Sequence, residues 1–208
     1  MIEIEIKARA SHQRLKKMLS DMGATFFAVE NHSDTYYNAP HRDFAQTDEA
    51  LRIRSVNGHS VLTYKGQKLD TISKTREEFE TEVDGENTRQ ILLALGFVAS
   101  GNVSKKREIF KHNDITIVLD TVEGLGEFME VEIVTESDND AAKEKLFAFL
   151  EELGIKQEDT IRTSYLEMVL GESAVSDSPE ANKEYLKKLD NIRKAKFDNV
   201  DDFSERYG

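Results

Sequence analysis

The sequence predicts an α+β protein in which eight antiparallel strands form a β-barrel with helices packed outside it. Three observations lead to this fold class. About eight segments alternate apolar and polar residues with the period of two that is typical of β-strands. Short turns join most of these segments, and helices with one apolar side lie between some of them. Antiparallel strands with one apolar face need cover on that face, and these helices supply it.

The first half of the chain contains the clearest hairpin. The chain opens with the alternating segment IEIEIKAR. A helix follows, with Ser11 as its N-cap and Gly23 at its C-terminal end. A long strand then ends at Pro40 and leads into a polar loop, HRDFAQTDEA. The strands LRIRSV and SVLTYKG flank Asn57-Gly58, a dipeptide that two-residue hairpin turns favour. A second polar loop, QKLDTISK, precedes the fifth strand, TREEFETEV.

The second half predicts a further hairpin between two amphipathic helices. In the first helix, ENTRQILLALGF, we expect Ile91, Leu92 and Leu95 to be buried. The hairpin strands are NVSKKREIFK and ITIVLD, and EFMEVEIV is the last strand. The second helix carries one apolar stripe, which consists of Leu146, Phe149, Leu150 and Leu153. A short helix, TSYLEMVL, ends the domain.

The segment GESAVSDSP is rich in small and polar residues, which is typical of a linker. Beyond it, Ser178-Pro179 resembles the start of another helix. We therefore predict one domain over residues 1–171, followed by a linker and C-terminal helical extension over 172–208.

The composition excludes several classes of partner. The chain has 28 Lys and Arg against 40 Asp and Glu, a formal charge of −12, so as a whole it repels nucleic acid and anionic membranes. It has no run of 18 apolar residues, and its charged first strand is unlike a signal peptide. The lack of cysteine excludes thiolate chemistry and fits a cytoplasmic protein. We expect a cytoplasmic location, no nucleic-acid or membrane partner, and a homodimer as a further possibility.

Charged residues recur on one face of nearly every predicted strand, and their signs are segregated. The middle strands carry the basic pairs Arg52 with Arg54 and Lys105 with Arg107. The first, fifth and last strands carry carboxylates: Glu3, Glu5, Glu78, Glu80, Glu130 and Glu132, with Asp120 on the preceding strand. For any single strand, a half-solvated face with cross-strand salt bridges would explain such a row.

The recurrence of these rows favours a different interpretation. A sheet that curls into a barrel would gather the charged groups in one cavity, where unpaired charges are costly to bury. Paired carboxylates suit Mg²⁺ or Mn²⁺, and clustered Arg and Lys suit phosphate oxygens. The pattern therefore indicates a site for a metal ion and a polyphosphate.

The motifs, taken in order, resemble those of the CYTH superfamily, the triphosphate tunnel metalloenzymes. The first strand, Glu3-Ile4-Glu5-Ile6-Lys7, resembles the ExExK motif of that superfamily. The match continues through DTYYNAP, DEALRIR, TYKG, REEFETEV, SKKRE, LDTVEGLGEFMEVE and TSYLEMVL, and covers residues 1 to about 170. Within the superfamily, LDTVEGLGEFMEVE and SYLEM look most like the class IV adenylyl cyclase group.

The resemblance implies an eight-stranded antiparallel tunnel that admits an organic or inorganic triphosphate. It implies metal binding by Glu3, Glu5, Asp120, Glu130 and Glu132. It implies triphosphate binding by Lys7, Arg52, Arg54, Lys65, Arg76, Lys105 and Arg107. It also implies catalytic roles for Lys7, Lys65 and Asp120. Further candidates for the same site are Glu78, Glu80 and Lys74.

The implied chemistry is phosphoryl or nucleotidyl transfer with Mg²⁺ or Mn²⁺ as cofactor. In a cyclase, ATP gives cyclic AMP and pyrophosphate; in a triphosphatase, water attacks a nucleoside, thiamine or inorganic triphosphate. Two other interpretations remain open: a non-catalytic polyphosphate-binding or nucleotide-binding module, and a stable barrel whose interior is only a salt-bridge network.

The histidines do not predict a zinc site. Four of them fall in predicted loops or strand ends, and the fifth begins a helix: His32, His41, His59, His112 and His12, respectively. No pair has the helical spacing of zinc ligands, so we expect surface or capping roles.

Overall fold

The computed structural model describes residues 2–67, 76–135 and 140–176, with the side chains of residue 2 and of 172–176 left out. Nine strands lie in these ranges: β1 (Ile2–Arg9), β2 (Thr25–Asn38), β3 (Ala50–Val56), β4 (His59–Lys65), β5 (Glu78–Val83), β6 (Val98–His112), β7 (Ile115–Val122), β8 (Gly126–Thr135) and β9 (Thr160–Ile161). The α-helices are α1 (His12–Asp21), α2 (Phe44–Thr47), α3 (Gly85–Ala94), α4 (Asp140–Glu152) and α5 (Tyr165–Ser176). A 3₁₀ helix spans Gln157–Asp159.

The strands form one antiparallel sheet, in the order β5-β4-β3-β2-β6-β7-β8-β1-β9. This confirms the predicted α+β antiparallel fold, with one strand more than predicted because the two-residue β9 pairs with β1. The sheet is not closed by a continuous ladder, in contrast to a complete barrel. An isolated bridge between Glu3 of β1 and Arg76, just before β5, brings its two edge regions together. The sheet is therefore strongly curled, with its concave face enclosed.

Helices α1 and α4 cover the outer face of the sheet. Ile4, Ile6 and Ala8 of β1 are buried there against both helices. The predicted stripe of α4 is confirmed, since Leu146, Phe149, Leu150 and Leu153 are all buried. Because side chains alternate along a strand, burying this apolar row directs the charged row of β1 to the concave face.

Helix α3 buries less than its sequence predicts. Leu92 packs with Leu51 and Ile53 of β3 in a second apolar cluster. Ile91 and Leu95, however, are 58% and 63% exposed, so their predicted burial is wrong. Leu95 lies at the C-cap, beyond the last helical turn, and Ile91 is rotated about 100° from Leu92 around the helix axis.

The connections agree with most of the sequence signals. Asn57 and Gly58 both have positive φ, at 51° and 84°, as the tight β3–β4 turn requires. The predicted polar loop before β3 instead contains α2, because the Asp43 side chain accepts a hydrogen bond from the Ala45 N–H and caps one helical turn.

The C-terminal helix is longer than predicted. Helix α5 continues to Ser176 and so includes part of the segment predicted as a linker. The predicted extension beyond it, and Lys74, lie outside the described residues, so the division at Gly171 stays a prediction. Within the described ranges, no helix combines the length and apolar character needed to cross a membrane.

Candidate functional site

The concave face of the sheet brings most of the predicted site residues together. Lys7 lies opposite Glu130 in the β1–β8 pair, and Arg107 lies opposite Asp120 in the β6–β7 pair. The same face also carries Glu3, Glu5, Arg52, Arg54, Lys65, Glu78, Glu80, Lys105 and Glu132, by the alternation of their strands. Lys7 is 1% exposed and Asp120 is 0% exposed, so part of this charged face is fully buried.

A first group of ion pairs surrounds Asp120. Its carboxylate accepts hydrogen bonds from Arg107 Nε at 2.8 Å and Arg107 Nη2 at 2.6 Å, and from Lys105 Nζ at 2.9 Å. Arg107 Nη2 also donates to Glu130 at 2.6 Å. The structure thus places two of the predicted metal ligands, Asp120 and Glu130, in contact with predicted phosphate-binding cations.

Burial and neighbouring charges perturb this group. Burial, with the adjacent Arg107 charge, lowers the pKa of Lys105 to about 8, although Asp120 and Glu130 oppose the change. Burial favours the neutral form of Asp120, yet Arg107 and Lys105 outweigh it and lower the pKa of its carboxyl. Asp120 is therefore ionised at neutral pH and fixes the orientation of both cations.

A second group of ion pairs centres on Asp34, which the sequence interpretation missed. Arg54 donates to it from Nε and Nη2, both at 2.7 Å, and Arg52 Nη1 lies 3.6 Å away. Asp34 is 1% exposed, and although burial favours its neutral form, Arg54 and then Arg52 lower its pKa to about 2. Glu30, His32 and Asp34 occupy every second position of β2, and this spacing could have shown that they share the charged face of the sheet.

Two acidic residues of β5 pair with cations of β4 and β3. Lys65 Nζ donates to Glu78 at 2.5 Å, and Arg52 Nη2 lies 3.6 Å from Glu80. These contacts support the inclusion of Glu78 and Glu80 in the site. Arg76 belongs to the same edge through its bridge with Glu3.

A carboxylate group lies at the seam where β1 approaches β4 and β5. Glu5 is directly opposite Glu132, an arrangement of like charges that is unfavourable without a cation. Burial raises the pKa of Glu3 to about 7; Lys65 opposes this rise, and Glu5 and Glu132 add to it. An oxygen-only set of this kind fits Mg²⁺ or Mn²⁺ in its chemistry. Among the described residues, however, no three His, Asp or Glu already converge in the geometry of a metal site.

Tyr165, at the start of α5, is another interior residue that the sequence interpretation did not assign. Its ring packs edge-on against Phe128, with centroids 5.1 Å apart. Lys7 Nζ lies 4.1 Å from the ring centroid and donates to the Thr163 carbonyl at 2.5 Å, and Lys105 Nζ lies 5.0 Å from the same ring. The only signal was SYLEM at the domain end, which does not reveal where α5 docks.

Three buried side-chain atoms have no hydrogen-bond partner within the described part of the chain: His32 Nδ1, Arg52 Nε and Tyr165 Oη. All three residues belong to this charged interior. His32 lies within β2 rather than at a strand end, so its predicted surface role is wrong. Buried polar groups are nearly always paired, so unpaired ones in one region indicate that a ligand or water completes them.

Comparison with known proteins identifies the family. A family model described as the CYTH domain matches residues 1–165. The chain belongs to the CYTH family. A curated relative, "Putative adenylate cyclase MJ0240" of Methanocaldococcus jannaschii, is 43% identical over 172 residues, which cover 81% of this chain and 98% of that protein.

Solved structures of other proteins share the CYTH fold. The PH1819 protein of Pyrococcus horikoshii is 40% identical, with a TM-score of 0.74, over 82% of this chain and 99% of that one. The Hippeastrum protein HpAC1 is 22% identical, with a TM-score of 0.60, over 86% and 97% of the two chains. Its published description gives it a dominant triphosphatase activity; at this identity the likeness to our chain shows the fold alone.

Proposed function

We propose that this CYTH protein is a metal-dependent enzyme acting on triphosphates, with a reaction like that of class IV adenylyl cyclases. One observation carries the proposal: Arg52 Nε–H and Tyr165 O–H are buried, unpaired donors within an interior lined by charged side chains. Burial, helped by Glu130 and Asp120, raises the pKa of Tyr165, so its hydroxyl keeps its proton. An unpaired buried donor costs about 1–3 kcal/mol, which phosphate oxygens would recover on binding.

The cations of the middle strands would hold the phosphate groups. Arg and Lys have donors only, and the planar guanidinium matches phosphate oxygens in pairs. Asp34 and Asp120 already fix Arg54 and Arg107 by two hydrogen bonds each. Donors held in this way need little reorganisation when charge develops during phosphoryl transfer.

The carboxylates at the seam would hold Mg²⁺ or Mn²⁺. Glu3, Glu5 and Glu132 supply oxygen ligands, and the charges of Glu5 and Glu132 act on Glu3. A bound metal ion would neutralise phosphate charge and polarise the phosphoryl group. Asp120 and Glu130 are the remaining predicted metal ligands. Asp120 also orients Lys105 and Arg107 through hydrogen bonds, and Glu130 also orients Arg107.

In the cyclase reaction, the 3′-hydroxyl of ATP attacks the α-phosphorus. The bond from that phosphorus to the bridging oxygen breaks, pyrophosphate leaves, and the hydroxyl proton passes to a base or solvent. Support for this version comes from the name of the Methanocaldococcus jannaschii relative. Lys7 and Lys65, the predicted catalytic lysines, would stabilise the charge on the phosphate oxygens.

Triphosphatase activity is the second candidate. Water would attack the terminal phosphorus of the same bound triphosphate, and the basic lining would serve both reactions. The activity described for the Hippeastrum protein supports it, since that protein combines this fold with triphosphate hydrolysis. A non-catalytic binding module would need the cations alone, so the seam carboxylates favour an enzyme. A cytoplasmic location and a homodimer stay predictions.

Product analysis tests the proposal. Purified protein is incubated with Mg²⁺ or Mn²⁺ and with ATP, inorganic triphosphate or thiamine triphosphate. We expect cyclic AMP and pyrophosphate from ATP; orthophosphate and a diphosphate would identify the triphosphatase instead. Lys105→Ala should abolish turnover, while Lys106→Ala should not, because Lys106 is exposed on the other side of β6 and pairs with Glu108. No turnover of any triphosphate by folded protein would refute an enzymatic role.

A further inference from the structure

His32 occupies a position in the interior that the proposed chemistry does not yet use. It lies in β2 between Val56 of β3 and Lys105 of β6, and it is 5% exposed. Its Nδ1 is one of the three unpaired interior atoms of the described chain, and it is the one that a neutral ring with its hydrogen on Nε2 leaves without any hydrogen to donate. The other two, Arg52 Nε and Tyr165 Oη, can both donate to phosphate.

Glu30 determines which ring nitrogen of His32 carries the hydrogen. Its Oε2 lies 2.6 Å from His32 Nε2, and an ionised carboxylate only accepts, so Nε2 carries the hydrogen. Burial, reinforced by the Arg54 charge, lowers the pKa of His32 to about 4 despite this hydrogen bond. The ring is therefore neutral near pH 7, and Nδ1 presents a lone pair.

A lone pair at this position selects for a particular group on a ligand. The charged groups that act most strongly on His32 are Arg54 on β3, Glu30 on its own strand, and Arg107 and Lys105 on β6. The three cations would attract a triphosphate, but phosphate oxygens only accept, so Nδ1 cannot bind them. It is matched instead to an O–H group next to the phosphates.

We propose, on the basis of the triphosphate site described above, that His32 Nδ1 accepts a hydrogen bond from a hydroxyl group of the bound substrate. His32 is then a specificity residue that favours hydroxyl-bearing triphosphates, such as ribonucleoside triphosphates, over those without a hydroxyl. Inorganic triphosphate fills the phosphate positions and leaves Nδ1 unpaired, which makes it the weaker ligand.

Calorimetric titration without metal tests this preference independently of turnover. The ligands are ATP, 2′,3′-dideoxy-ATP and inorganic triphosphate. The unmodified protein should bind ATP about three- to tenfold more tightly than the dideoxy analogue, the range expected for one neutral hydrogen bond. Equal affinity for the two nucleotides would overturn the proposal, and this comparison needs no variant.

Two substitutions then separate the ring nitrogens. In His32→Gln, the amide can reach the former Nε2 position and keep a donor towards Glu30, but no acceptor remains at Nδ1. This variant should lose the preference for ATP over dideoxy-ATP and bind inorganic triphosphate unchanged. His32→Asn retains an oxygen near the former Nδ1 position and should keep part of the preference.

The outcomes distinguish the inference from the proposed function. If His32→Gln keeps the full preference, or loses affinity equally for all three ligands, Nδ1 makes no contact with a substrate hydroxyl. A preference unchanged in both variants would mean that Nδ1 binds only water. If the unmodified protein binds none of the three ligands, the triphosphate site itself is wrong, and the role of His32 falls with it.

Discussion

Asp34 of β2 accepts two hydrogen bonds of 2.7 Å from Arg54 of β3, and Asp34 is buried inside the curled sheet. The contact fixes the orientation of the Arg54 guanidinium before a ligand binds. It also means that the buried Asp34 carboxylate receives these hydrogen bonds from one neighbouring strand, β3. Its energetic effect can be measured separately from its effect on binding.

Asp34→Asn should destabilise the protein in a pH-dependent way. The folded pKa of about 2 lies below the ordinary value of 3.8, so the stabilisation is complete above about pH 4 and disappears as the pH falls towards 2. That shift corresponds to about 2 kcal/mol at neutral pH. Urea unfolding at several pH values should show this loss at pH 7 and a smaller one near pH 2.

Asp114→Asn is the matched control. Asp114 pairs with Lys145 on the exposed surface, where an ion pair contributes at most about 1 kcal/mol. A difference between Asp34→Asn and the unmodified protein that stays constant from pH 7 to pH 2 would contradict the assigned pKa.

Arg54→Ala should weaken triphosphate binding with or without metal. The substitution removes a donor and leaves the Asp34 charge with only the longer ion pair to Arg52 beside the phosphates. The double variant Arg54→Ala with Asp34→Asn should recover part of the affinity, because the repulsion is removed while the donor is still missing. Calorimetry with a non-hydrolysable triphosphate measures both. Unchanged affinity in Arg54→Ala would exclude Arg54 from the phosphate site.

Glu132→Gln should act on the metal rather than on the phosphates. Removing one carboxylate opposite Glu5 should weaken Mn²⁺ binding by at least about tenfold, or 1.4 kcal/mol, and slow turnover. Triphosphate binding without metal should stay the same or improve, because a negative charge has gone. Titrations with and without Mn²⁺, alongside steady-state rates, test this. Normal metal affinity in the variant would remove Glu132 from the ligand set.

Tyr165→Phe should stabilise the protein and impair ligand binding. Its hydroxyl is buried without a partner, so its removal should raise the free energy of unfolding by about 1 kcal/mol while deleting a donor for phosphate. Tyr64→Phe provides the opposite case, because the Tyr64 hydroxyl donates to Glu49. That variant should lose stability and keep triphosphate affinity. Thermal unfolding and calorimetry of both variants would show whether the two effects separate.

Deletion of residues 177–208 should leave metal-dependent triphosphate chemistry intact. The described contacts of the charged interior side chains come from residues up to Tyr165, and the CYTH match ends at residue 165. Product analysis of the truncated and complete chains, with folding checked by circular dichroism, makes the comparison. Loss of turnover in a folded truncation would show that the extension contributes to the site.

The alternation of side chains along each strand predicted the charged face well. When the apolar side chains of a strand are buried on one face of the sheet, its charged side chains must point to the other face. Glu3, Lys7 and Glu132 follow from this rule alone. The partners of these residues did not follow, since they depend on which strands become neighbours. Asp34 lies on a strand whose faces were not sorted, and Tyr165 reaches the interior through the docking of a helix. The incomplete closure of the sheet depends on strand tilt, which no local pattern records.

The strand order places β1, which carries Glu3 and Glu5, beside strands that lie far from it in the sequence. Ile2 pairs with Thr135, so β1 joins β8 across most of the length of the domain sequence. Pairing over so long a loop is slow, whereas the β3–β4 and β6–β7 hairpins can form early. We therefore expect the side of the interior that these two hairpins supply, with Arg52, Arg54, Lys105 and Arg107, to form first during folding. Glu3 and Glu5, which depend on the pairing of β1, should take their places in the interior last.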